Sequence, residues 1–257
     1  ISLIAESGWV LVTATSCGGG EAASESSAST ASRRLAMERV SVSVITMTQE
    51  DRNRAKRKLR TAARTARWHL PSGLPPILYL TDPARTPDPV VTAGHLSSFY
   101  GLVYRHYGQP GHVKVATHLT KICRKRHVRL LIANDPLLAM RVGADGVHWP
   151  FAERAKARRW RSRFALMTAS AHTPKQLRLL QDAGFDAVLL STAFPSASPS
   201  ARKPLGQLRF RNLARASGLP VYALGGMNAE TAAQVAPVAA IAAIEGIEAI
   251  FGPQSQP

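Results

Sequence analysis

The segment "VYALGGMNAE" (221–230) opens apolar, stops at Gly225–Gly226 and turns polar before an alanine-rich run. Two adjacent glycines between a strand and a helix mark a backbone that takes φ > 0 or approaches something closely. Two uses fit: a tight turn alone, or a site where backbone N–H groups face an anion at a helix start. Other apolar runs end in polar residues that bear on the choice, namely Asp82, Arg105, Asn134, Asp135, His148, Ser170, His172, Ser191 and Ser196. If these converge with the glycines, a cation, a carboxylate and a phosphate cradle suit an anionic ligand, a pyrophosphate included, together with Mg2+.

Each of these residues also has a plainer use. Asp135 precedes Pro136, so helix N-cap and metal ligand stand side by side. His148, between Val147 and Trp149, reads as a satisfied, partly buried imidazole. His172 follows Ser170 and Ala171 at the end of an apolar run, where exposure to a pocket is expected and a functional and a plain structural use stand side by side. Arg105 sits in an otherwise apolar and aromatic run, and a strand gains nothing by burying an unpaired guanidinium, so a functional role is favoured.

The elements that must position these groups are short apolar runs alternating with helical-looking segments, the pattern of repeated βα units. Strands are expected at 77–82, 101–107, 129–135, 146–149, 164–171, 187–194, 221–226 and 239–246. Their continuously apolar interiors suit a parallel sheet buried on both faces. Segments 136–144 and 173–184 have helical periodicity, and Gly143 and Gly184 serve as helix C-caps. Eight such strands close most simply into a (β/α)8 TIM barrel. An open doubly wound sheet is the alternative, and no GxGxxG follows the first strand to support its dinucleotide-binding form. In a barrel the ligand sits at the carboxyl ends of the strands, with phosphate in the loops after strands seven and eight. Gly225–Gly226 ends strand seven.

The chain has 257 residues, 45% of them hydrophobic, and a net charge of +17. No apolar run reaches the roughly 18 residues of a membrane span, so no membrane association is expected. The block 51–67 holds eight Arg/Lys against one Asp, and further basic clusters at 121–129 and 154–163 fall on expected helices. Solvated helix faces are favoured over a dedicated nucleic-acid surface. Cys17 and Cys123 match no metal-ligand spacing, and a cytoplasmic location is expected. The first 20 residues faintly resemble a signal segment ending at a lipid-modified Cys17, but lack a basic start and carry Glu6. The chain begins with Ile1, and Met37 and Met47 are candidate starts. Residues 1–50 are expected to be a disordered or mistranslated segment, 51–75 a basic helical extension and linker outside the barrel, 76–252 the barrel, and 253–257 a tail.

The phrases "LYLTDP" (78–83), "LLIANDPLLAMRVGADGVHWP" (130–150), "TASAHTPKQL" (168–177), "GFDAVLLSTAFPSASPSARKPLG" (184–206) and "LPVYALGGMN" (219–228) occur in an order that resembles the thiamine phosphate synthase and TenI family of (β/α)8 barrels. The resemblance covers residues 76–251. It implies a thiamine-biosynthesis transferase that joins a pyrimidine methyl pyrophosphate to a thiazole phosphate and releases pyrophosphate. By position, Arg105 and Ser170 would meet the pyrophosphate, Asn134 the pyrimidine, and Asp135 Mg2+. Ser196, Ser198, Gly225 and Gly226 would hold the thiazole phosphate, with Lys203 or Arg202 as a shifted cation. A homo-oligomer is in keeping with the family.

Departures are equally specific. The family's Gln-x-Arg-x-Lys on strand two reads "VYRHY", which puts Val103 and Tyr107 at the Gln and Lys positions. Pro136 stands for an Arg, Glu153 is the nearest carboxylate to the second metal position, and Glu245 falls where a Ser is expected near the phosphate. Two alternatives therefore stand beside the synthase. One is a TenI-like thiazole tautomerase, in which His172 or Glu245 supplies acid–base catalysis. The other is a catalytically degenerate barrel that binds a phosphorylated ligand and carries a basic interaction arm.

Overall fold

The computed structural model describes residues 47–106, 108–199 and 201–253. The expectations for residues 1–46, Cys17 and Met37 among them, and for Tyr107 lie outside these ranges. In chain order the elements are α1 (Gln49–Arg67), β1 (Ile77–Leu80), α2 (Pro89–His95), β2 (Tyr100–Tyr104), α3 (His112–Arg126), β3 (Arg129–Ala133), α4 (Pro136–Val142), β4 (Gly146–Trp149), α5 (Arg154–Ala157), β5 (Leu166–Ala171), α6 (Pro174–Gln181), β6 (Ala187–Ser191), α7 (Gly206–Arg215), β7 (Val221–Leu224), α8 (Ala232–Val235), β8 (Ala240–Ala243) and α9 (Glu245–Phe251).

The strands pair in parallel from β1 to β8, and β1 closes on β8 with Ile77 opposite Ile241. Each of the eight expected strands is present, with most carboxyl ends a few residues shorter than the apolar runs. Successive residues of a strand face opposite ways. On β1, Leu78 and Leu80 fill the barrel interior with Val103, Leu131, Leu189 and Tyr222. Ile77 and Tyr79 pack outward under the helices with Leu102, Ile132 and Trp149. Both faces are dry, which is why the runs look continuously apolar rather than alternating. The Tyr222 hydroxyl donates to the Pro75 carbonyl at 2.6 Å, next to Leu74, so the amino end of the barrel is plugged. The carboxyl end is left for a site.

Helix starts are set by capping. Asp135 accepts from the Leu138 amide at 2.8 Å ahead of Pro136, and Gly143, in the left-handed region at φ 68°, ends the same helix. The basic helix α1 is capped by Thr48, whose hydroxyl accepts from the Asp51 amide at 3.1 Å. It is more than an appendage. Ala55, Leu59, Ala62, Ala63 and Ala66 form a buried stripe at helical spacing and belong to the main outer cluster. That stripe packs against β8, α8 and α9, while Arg54, Arg57, Lys58, Arg60, Arg64 and Arg67 are exposed. Among the described residues no helix is long and apolar enough to cross a membrane.

Candidate active site

The carboxyl ends of the strands open on a cleft of about 670 Å3. Arg105, Ser170, His172, Ser196, Ser198, Gly225, Gly226 and Glu245 all line it. Asn134, Asp135 and Lys203 do not; Arg202 takes the place in the lining that Lys203 was expected to fill.

Arg105 is the first residue beyond β2, and its amide donates to the Thr81 hydroxyl at 2.9 Å. Its guanidinium lies 3.6 Å from Asp82 Oδ2, an oxygen that also accepts from Arg85 Nη2 at 2.8 Å. Arg85 reaches on to Glu245 at 3.5 Å, tying the β1 loop to the start of α9. The hydrogen bond from Arg85, assisted by the charge of Arg105, holds the Asp82 carboxyl below the usual carboxylate range. Asp82 is therefore a fixed anion behind two arginines. The sequence reading placed Asp82 at a strand end but missed Arg85. The signal was the opposite-charge spacing of three residues in "DPAR".

Gly225 and Gly226 both have positive φ, 96° and 63°. A Cβ at Gly225 would meet Thr192 Cγ2 at 2.6 Å, and one at Gly226 would run into the Pro195 carbonyl. Their carbonyls are tied back into the protein: Gly225 accepts from the Phe194 amide at 3.0 Å and Gly226 from the Thr231 hydroxyl at 3.0 Å. The parallel pairing of Leu224 with Ala242 directs the Gly225 amide to the Ala242 carbonyl, whereas the Gly226 amide has no backbone acceptor among the described residues. A turn is made, and the Gly226 donor remains at the cleft. Thr192 pins the neighbouring loop, its hydroxyl accepting from the Arg202 amide at 3.0 Å and its carbonyl from Leu205 at 2.9 Å.

On β5, two strands from β7 around the barrel, a chain of polar groups orients Ser170. His148 Nδ1 lies 2.9 Å from the Thr168 hydroxyl, and Nε2 lies 2.9 Å from Ser170 Oγ. Burial pushes the imidazole down to about 3, so it is neutral and one nitrogen donates while the other accepts. His172 Nδ1 lies 2.9 Å from Ser191 Oγ and 3.2 Å from the Ser191 carbonyl. Burial, with Arg202 acting in the same sense, lowers its pKa. Nε2 has no protein partner among the described residues.

Asn134 and Asp135 lie elsewhere. The chain leaves β3 at Ala133, and Asn134 turns into the left-handed region at φ 51°. Both residues line a separate pocket of about 220 Å3 with Tyr104, His106 and His112. The Asn134 side-chain oxygen is buried there without a partner. Asp135 caps α4, which is the plainer of its two expected uses. Glu153 pairs with Lys156 at 3.7 Å. Glu245 is exposed in the first turn of α9 and is the carboxylate in the cleft lining, already facing Arg85. Among the described residues no three His, Cys, Asp or Glu side chains cluster as a metal site. A magnesium ion needs at least one or two free carboxylates beside phosphate oxygens; Asp135 is spent on capping α4 outside the cleft and Glu245 already faces Arg85, so the residues present do not fit a protein-held ion.

A family model for "Thiamine monophosphate synthase" matches residues 103–247, more than half of the chain. The chain belongs to the thiamine monophosphate synthase family. It is 35% identical over 130 residues to the thiamine biosynthesis bifunctional protein ThiM/ThiE of Symbiobacterium thermophilum, covering 49% of this chain and 27% of that protein. It is 38% identical over 135 residues to the thiamine-phosphate synthase of Thioalkalivibrio sulfidiphilus, covering 49% of this chain and 61% of that one. The chain thus spans less than two thirds of the length of these relatives. A thiamine phosphate pyrophosphorylase structure from Pyrococcus furiosus superposes with a TM-score of 0.55 at 18% identity, covering 69% of this chain and 88% of that one, and shows the shared fold. Within the thiamine monophosphate synthase match lie Arg105, Ser170, His172 and the glycine pair. Outside it lie α1, β1, Asp82 and Arg85.

Proposed function

We propose that the chain is a thiamine phosphate synthase working in the cytoplasm on small phosphorylated substrates. It would couple a pyrimidine methyl pyrophosphate to a thiazole phosphate. The observation that carries this reading is the glycine turn at Gly225–Gly226, whose Gly226 amide has no backbone acceptor among the described residues, on the same cleft as Arg105 and Ser170. Backbone donors held at positive φ bind a dianionic phosphate without reorganising, each charge-assisted bond contributing about 1.5–3 kcal/mol. Ser196 and Ser198 border the same end.

The reaction in this reading is a displacement at the pyrimidine methylene. The carbon–oxygen bond to pyrophosphate breaks, the pyrophosphate leaves with the electron pair, and the thiazole nitrogen forms the new carbon–nitrogen bond. Charge builds on the departing oxygens, where Arg105 and the oriented Ser170 hydroxyl stabilise it. The glycine turn, through the Gly226 amide, holds the nucleophile by its phosphate, which makes the encounter effectively unimolecular. His148, neutral and fully engaged, keeps Ser170 in place and exchanges no proton.

The test is direct: the purified chain is incubated with both substrates and thiamine phosphate is quantified. Product above the background of a heat-denatured control is expected. No product while both substrates bind would reject the synthase.

A further inference from the structure

The charge facing the cleft is guanidinium. Arg85, Arg105 and Arg202 line it against one carboxylate, Glu245. Asp82, behind the wall, is fully engaged: Oδ2 receives Arg85 at 2.8 Å and lies 3.6 Å from Arg105, and Oδ1 accepts from the Ala84 amide at 3.1 Å. One acid thus balances one of two arginines. Arg85 has five N–H donors, and Asp82 and Glu245 take two of them. Its side chain is 18% exposed, so the remaining donors sit where little water competes. The Glu245 contact, at 3.5 Å to a carboxylate 56% exposed, is the weaker of the two. A polyanion can displace it without disturbing Asp82.

We propose that Arg85, together with Arg105, binds the diphosphate of the ligand directly, so that guanidinium groups replace a protein-held divalent cation, with Glu245 occupying Arg85 until the anion arrives. This rests on reading the cleft as a pyrophosphate site and does not require the coupling reaction. Positions where the resemblance leads one to expect further contacts hold Val103 and Pro136, which supply no donor. Arg85 supplies charge from the β1–α2 loop, outside the matched stretch 103–247. A metal-neutralised pyrophosphate would meet three arginines with less charge to attract them, so Mg2+ should weaken binding or leave it unchanged.

Calorimetric titration of the full chain with sodium pyrophosphate, in EDTA and in excess Mg2+, tests this. Binding in EDTA at least as tight as with Mg2+ is expected. Arg85→Ala should weaken it on the order of tenfold to a hundredfold, and Arg85→Lys should recover only part, because a point charge cannot bridge two phosphate oxygens. Glu245→Gln, an exposed change that leaves the fold intact, should tighten binding about threefold or more by freeing Arg85. Binding that requires Mg2+ overturns the proposal, as does an Arg85→Ala variant that binds like the parent. Should Arg85→Ala fail to fold, Glu245→Gln decides, and unchanged affinity in that variant counts against the proposal. Metal-free pyrophosphate binding without thiamine phosphate formation would reject the synthase and keep this inference. Product formed in Mg2+ with no metal-free binding would do the reverse.

Discussion

A single imidazole tells most about how this cleft is built. His148 titrates near 6.5 in an unfolded chain and at about 3 in the folded one. Between those values the unfolded state binds the extra proton, so stability contributed by neutral His148 is present above pH 6.5 and is lost as the pH falls toward 3. The slope for one such group is about 1.4 kcal/mol per pH unit. Urea unfolding at pH 7, 6 and 5 should show this slope in the parent and a shallower one in His148→Gln, whose amide can still reach Thr168 and Ser170. Parallel curves would show that His148 is not the titrating group. Arg105, Ser170 and His172 were legible in the sequence because each ends an apolar run, where a polar group must find either a partner or a ligand. Asp135 was ambiguous for a local reason, since an Asp before Pro is a helix cap by its own chemistry. Arg85 was missed because it lies in a loop, where no periodicity fixes which side chains turn toward the barrel.

Among the elements, the strands were legible because burial on both faces imposes unbroken apolar runs that loops cannot imitate. Their ends were less so: the run 129–135 continues past Ala133, but Asn134 takes a left-handed turn and carries Asp135 to the neighbouring pocket. The basic helix α1 shows the converse. Its charge is conspicuous and its alanine stripe is not, yet the stripe decides its place. Leu59 is 1% exposed in the outer cluster. Leu59→Ala should cost about 2–5 kcal/mol in urea unfolding, whereas Lys58→Ala, which removes an exposed ion pair to Glu230 at 2.6 Å, should cost less than about 1 kcal/mol. Equal effects would mean that α1 is held by its charges.

At the scale of the whole molecule, closing eight strands into a barrel brings residues far apart in sequence to one rim. Ser170 comes from β5, Gly225 and Gly226 from the end of β7, and Arg105 from the end of β2. Their convergence was readable only through the barrel hypothesis, since nothing local connects them. The glycine turn is the phosphate end of that rim, with the Gly226 amide as its donor. A 15N-resolved NMR titration with the thiazole phosphate measures it directly. The Gly226 amide resonance should move most, with its neighbour Gly225 and Ser170 following in proportion to occupancy, while the exposed residues of α1 stay in place. Saturable binding that shifts other residues and leaves both glycine amides unmoved would contradict it.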